Sequence, residues 1–152
     1  MPFQYPSHRT HEFVKAPKVV RGGETFAVSI KGQRGATFDV NLDLLDGAFV
    51  DLRYLGGAHD VAAPESYKTS LLLAGQRVRG VDYVPVGQRR FYRERIPAGW
   101  HQNVIDPNLS TDHDDANRHM PLPGFSPTDF RDFIRLTAAL WSIELAWEET
   151  ML

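Results

Sequence analysis

Three of the six histidines of this chain, His101, His113 and His119, fall in the stretch WHQNVIDPNLSTDHDDANRHMPLPGFSPTDF (100–130), just after a run of arginines. Imidazole gives and takes protons near neutral pH, and guanidinium neutralises the charge that builds on a phosphate under attack. Metal-independent cleavage of RNA needs those two functions. His101, His119 and Arg118 are therefore the candidate catalytic residues, and Arg93, Arg95, Arg77 and Arg79 the candidate phosphate contacts. Asn103 shares a face with His101 if 100–105 is extended, which makes it a candidate orienting donor on the substrate. The plainer reading is that the arginines are solvated strand residues and that His119 merely hydrogen-bonds within a loop. Tyr83, Phe91, Tyr92 and Trp100 lie among the arginines, where they would either stack on bases or fill a core.

Other chemistries find less support. His101, His113 and His119 with Asp112, Asp114 and Asp115 offer imidazole and carboxylate ligands, but the spacing is irregular and loop-borne, so a solvated acidic loop is the better reading. No metal and no cofactor are expected. Asp39-x-Asn41-x-Asp43 has the first spacings of a calcium loop without its glycine and distal glutamate, and reads instead as the wet face of a strand. The absence of cysteine excludes a thiolate nucleophile, a Cys-ligated zinc and a disulfide framework, and suits a reducing cytoplasm. A net charge of -2 hides a local asymmetry: six arginines between Gln76 and Arg95, four aspartates between Asp106 and Asp115. The N-terminal MPFQYPSHRTHEF has no long apolar h-region, and no run approaches the ~18 apolar residues of a membrane span. A soluble, cytoplasmic protein without a membrane partner is expected.

The elements that must position these residues can be read from periodicity and turn chemistry. A length of 152 residues suits a single domain over 1–152, with 1–10 as a flexible arm. Residues 11–20 read as extended, and Arg21-Gly22-Gly23 as a turn into 24–31, forming a first hairpin. In TFDVNLDLL (37–45) apolar and polar residues alternate, the period of a strand with one buried face. Asp46-Gly47 then predicts a tight turn into a returning strand over 48–55. Further strands are expected at 67–73, 76–85 and 89–96, with Arg77 and Arg79 on one face and Arg93 and Arg95 likewise paired, forming a basic stripe. A helix over 126–149 is announced by Ser126 as N-cap, Pro127 at the first position, Asp129 in the first turn and Phe125 stapled to Phe130. Its apolar face is Phe130, Phe133, Ile134, Thr137, Leu140, Trp141 and Leu145. Together these give an α+β domain: a mostly antiparallel, twisted sheet of about six or seven strands with one C-terminal helix packed on a face.

The order DGAFVDLRYL (46–55), SYKTSLLLAGQRVRGVDY (66–83), a His-containing loop and NRHMPLPGFSPTDFRDF (117–133) resembles the TumE-like family of small bacterial toxin–antitoxin proteins, over roughly residues 43–135. Arg79-Gly80-Val81-Asp82-Tyr83 stands where that family carries Arg-Tyr-Asp-Asn, and Arg118-His119 where it carries His-Arg-His. The resemblance implies a toxin that acts on RNA or the translation machinery of its own cell and is held silent by a cognate DNA-binding antitoxin. The expected function is that of a toxin-like RNA-targeting protein, a metal-independent endoribonuclease. The alternative is a non-catalytic module that binds nucleic acid or protein through the arginine stripe and the acidic 106–115 loop. Geometry separates the two: His101 and His119 must face one cleft, and a separation beyond ~10 Å would forbid their acting on one substrate.

Overall fold

The alternation of Phe38, Val40, Leu42 and Leu44 with Asp39, Asn41 and Asp43 builds the longest strand among the described residues, Gly35–Leu44, with its apolar side turned inward. A computed structural model describes residues 3–85, 98–110 and 116–147 of the chain. Within them a helix α1 (Ser7–Lys15) precedes β1 (Lys18–Val20), β2 (Ser29–Lys31), β3 (Gly35–Leu44), β4 (Leu52–Ala58), β5 (Tyr67–Leu73), β6 (Gln76–Val84), β7 (Gly99–Ile105) and β8 (Asn117–Pro121). Helix α2 (Phe130–Leu140) and the short β9 (Ile143–Glu144) follow. This is a mixed α/β fold with one large sheet, in the order β8-β7-β6-β5-β4-β3-β1-β9, and β2 beside β3. Every pairing between these strands is antiparallel except that of β1 with β9. β3 is long enough to share its outer edge: Ser29–Lys31 takes the half near Gly35, and Lys18–Val20 the half near Leu44.

Apolar side chains of one sheet face meet both helices. Phe38, Leu42, Leu52, Tyr54, Tyr67 and Leu71 form the core with Phe130, Phe133, Ile134 and Trp141 of the α2 region and Phe13 and Val14 of α1. The polar ends of Tyr54 and Trp141, which this packing buries, are paired. Tyr54 Oη donates to Ile134 O at 2.9 Å and lies 2.6 Å from Thr137 Oγ1, and Trp141 Nε1 donates to Gln102 Oε1 at 2.9 Å. Phe38 closes over Gly56 on the neighbouring strand, where any Cβ would meet its ring at 2.9 Å and the Lys68 carbonyl at 2.4 Å.

Several expectations are corrected. The described residues hold nine strands rather than six or seven, and two helices rather than one. The supposed arm and extended segment contain α1, anchored by buried Ser7, Thr10, Phe13 and Val14, and only 18–20 is strand. β1 pairs with β3 and β9, so the first hairpin does not form. Asp46-Gly47 does turn the chain, with Gly47 at φ 85° and Ala48 N–H donating to Asp46 Oδ1, but β4 starts only at Leu52. Helix α2 begins later than expected, capped by Asp129 rather than Ser126. Its Asp132 N–H donates to Asp129 Oδ1 at 2.7 Å, while Asp132 Oδ2 accepts from Thr128 N–H at 2.9 Å, a reciprocal pair that Ser126 lacks. The expected strand over 89–96 lies outside the described residues. No helix among them is long and apolar enough to cross a membrane.

Candidate functional site

β6, β7 and β8 run antiparallel with Asp82 opposite His101, Gly80 opposite Asn103, and Asn103 opposite His119. Since side chains alternate along a strand, Asp82, His101, Asn103, Asn117 and His119 all emerge on the face turned away from the helices. They line a cavity of about 180 Å³ together with Arg77 and Lys68. His101, 1% exposed, and Asn103, 2% exposed, form its floor.

The imidazoles meet there. The rings of His101 and His119 lie 5.4 Å apart between centroids and inclined by 59°. His101 Nε2 is 2.7 Å from Asp82 Oδ1, and Asn103 Nδ2 donates to the same oxygen at 3.5 Å. Burial of Asp82 would raise its pKa, but the His101 hydrogen bond and the charges of His101, Arg77 and Lys68 outweigh it and hold the carboxyl below its usual range. Asp82 is thus ionised at neutral pH and can only accept, which places the His101 proton on Nε2. Nδ1 of His101, Oδ1 of Asn103, Oδ1 of Asn117 and Nε of Arg77 are buried and have no hydrogen-bond partner among the described residues. Burial pushes the Arg77 guanidinium pKa down and the Asp82 charge opposes that, so the cation sits in a partly desolvated position.

Arg77 and Arg79 do not share a face. The pairing of β5 with β6 steps from Leu71–Arg79 to Leu72–Arg77, so Val78 is an extra residue in the strand. Such a bulge re-aims side chains: Val78 and Arg79 both turn toward the helices, and Arg77 turns to the cavity. Arg79 is a buried tie between sheet and α1, donating to Val78 O at 2.8 Å and to His11 Nδ1 at 2.6 Å. A guanidinium has no acceptor, so His11 accepts with a neutral ring. Burial, Arg79 and Lys15 push the His11 pKa down, against Asp106, which raises it. Arg79 is therefore not a phosphate contact, and the basic stripe is not formed by this pair.

Arg118 stands between Asn117 and His119 on β8 and so projects from the opposite side, exposed, with Nη1 donating to Asn117 O at 3.1 Å. It is not brought to the cavity with His119. Asn103 does reach the cavity, with its amide nitrogen on Asp82 and its oxygen buried and without a hydrogen-bond partner among the described residues, so its unpaired atom is an acceptor where a donor was expected. Arg93, Arg95, Phe91, Tyr92 and the acidic group Asp112–Asp115 with His113 lie outside the described residues. Among the described residues no group of three or more acidic or imidazole side chains is placed to hold a metal ion. Trp100 and Tyr83, 5.2 Å apart, belong to the packing: Trp100 also meets Phe125 and Phe133.

Asp82, Lys68 and Asn117 were missed in the sequence. Asp82 carried a weak signal, a lone acid in an arginine-rich strand, but its pairing with His101 is visible only once the β6–β7 register is known. Asp39 and Asp43, with the calcium-like spacing, are occupied by Arg53 and Arg21 on the solvent face. Compared with family models, with curated proteins and with solved structures, the chain finds no match.

Proposed function

We propose that this protein is a toxin-like, RNA-targeting enzyme of the cytoplasm, a metal-independent endoribonuclease that a cognate DNA-binding antitoxin holds silent. The observation that carries the reading is the cavity in which Asp82-held His101 and His119 lie 5.4 Å apart with Arg77 on the same wall. With Nε2–H turned to Asp82, His101 acts as the general base through Nδ1, and Asp82 stabilises the imidazolium that results. His101 takes the proton of a ribose 2′-hydroxyl as the 2′-oxygen attacks phosphorus. The bond from phosphorus to the 5′-oxygen breaks, and protonated His119 gives its proton to that leaving oxygen, so a 2′,3′-cyclic phosphate and a 5′-hydroxyl end are formed. Arg77, with Lys68 at the rim, neutralises the charge on the phosphate oxygens.

Inducible expression in a bacterium, followed by RNA integrity on a gel, tests this. Growth arrest with fragmented RNA is expected for the wild type and intact RNA for His119→Ala and His101→Ala. With purified protein and a chelator present, each alanine should cost about 10²- to 10⁴-fold in cleavage rate. Asp82→Asn should fall in the same range because the His101 proton is no longer directed. Arrest with intact RNA would reject the ribonuclease, and RNA that is bound but not cut would leave the non-catalytic binding module.

A further inference from the structure

Asn103 stands at the middle of the row Gly80–Asn103–His119 across three strands, on the floor of the cavity. Its neighbours decide which way its amide points. Ionised Asp82 has no proton to give, so the Asn103 atom facing Asp82 Oδ1 is the amide nitrogen. Oδ1 is left buried, with no hydrogen-bond partner among the described residues. A buried amide oxygen in that state favours an occupant that brings a neutral donor to it. His101 Nδ1, two residues away on the same face of β7, is a second acceptor fixed by the same carboxylate. The lining residues thus hold the Arg77 cation for an anion and two acceptor atoms, buried and unpaired among the described residues, for a hydroxyl. A phosphate with a hydroxyl beside it satisfies both. A ribonucleotide has that hydroxyl at the 2′ position and a deoxyribonucleotide does not.

We propose that Asn103 is a specificity-determining residue, accepting a hydrogen bond from the ribose 2′-hydroxyl next to the bound phosphate, so that the cavity takes ribonucleotides and rejects their deoxy counterparts. This rests on the ribonuclease reading of the same cavity. A hydroxyl placed between the two acceptors turns about its C–O bond: Asn103 holds the proton as the substrate settles, and His101 removes it when the 2′-oxygen attacks.

Calorimetric titration of the full chain with a ribonucleoside 3′-monophosphate and with its 2′-deoxy analogue tests the assignment. The ribonucleotide should bind about tenfold to a hundredfold more tightly, the effect of leaving one buried acceptor unpaired. Asn103→Leu should bring the two affinities together by weakening the ribonucleotide alone. Asn103→Thr, which keeps an oxygen at this position, should retain part of the difference. Thermal melting establishes that each variant is folded. Equal affinities in the wild type, or a preference that survives in Asn103→Leu, would overturn the assignment to Asn103 and leave the ribonuclease standing. Binding of neither nucleotide would remove the phosphate site and both readings with it. A ribose preference that Asn103→Leu abolishes, in a protein that cuts no RNA, would reject catalysis and uphold the role of Asn103.

Discussion

Arg77 crosses to the cavity over a residue that has no side chain. A Cβ at Gly80 would lie 1.9 Å from Arg77 Nη2 and 2.6 Å from its Cζ, contacts with the mobile end of a side chain rather than with backbone. Gly80→Ala should therefore leave the strand intact and displace the guanidinium. The expected result is a melting temperature near that of the wild type with RNA cleavage down about tenfold to a hundredfold, in line with the loss of one positioned charge in an active site. An alanine variant as active as the parent would show that Arg77 does not serve the phosphate. Residue types alone identified His101, His119, Asn103 and Arg77 as the groups to watch, because histidines are few and these lie just after a run of arginines. They did not reveal which face each one takes. Arg79 is carried to the core by the bulge at Val78, and Arg118 points away from the cavity by simple alternation along β8. A bulge leaves no mark in the pattern of apolar residues when the residue inserted, here valine, suits either face.

At the scale of elements, one lysine serves the ends of both helices. Lys18 is fully buried, and its Nζ donates to Val14 O at 2.6 Å, Ala16 O at 2.7 Å and Trp141 O at 2.7 Å. These are carbonyls at the C-terminal ends of α1 and α2, where a cation also meets the negative end of each helix dipole. Burial, and then the charge of Arg79, push the Lys18 pKa down to about 7. The unfolded chain holds that proton up to about pH 10.4, so between the two values the unfolded state binds more protons and stability rises with pH. The slope from this group is at most about 1.4 kcal/mol per pH unit, absent below the folded value and exhausted above the unfolded one. Urea unfolding at several pH values from about 7 to 10 should show the rise in the wild type and a flatter profile in Lys18→Met. Identical slopes would refute it.

The elements that alternate cleanly were legible. Tyr67–Leu73 falls where expected because its burial carries period two, and Gln76–Val84 falls within a residue of expectation because the turn at Ala74-Gly75 fixes where it starts. Helix α1 was not, since SHRTHEFVK has few apolar residues and its burial comes from Ser7 and Thr10 as much as from Phe13 and Val14. The end of α2 was misread for another reason. Trp141 and Leu145 continue a helical spacing, but the chain turns at Ser142, with φ 57°, so that Ile143 can pair with Lys18. A contact across so much sequence overrides local propensity.

For the molecule as a whole, β9 lies parallel to β1, and the Trp141 carbonyl joins Lys18 across 123 positions of sequence. A chain ending after residue 138 would keep every described cavity residue and lose both contacts. It should be cut by protease far faster than the full chain, and equal resistance would show that the junction is dispensable. During synthesis the strands bearing Asp82, His101 and His119 leave the ribosome before Trp141 and Ile143. The seam between β1 and β9 thus closes after those strands have emerged, and a nascent chain is expected to carry the described parts of its cavity before it carries the fold that makes them rigid.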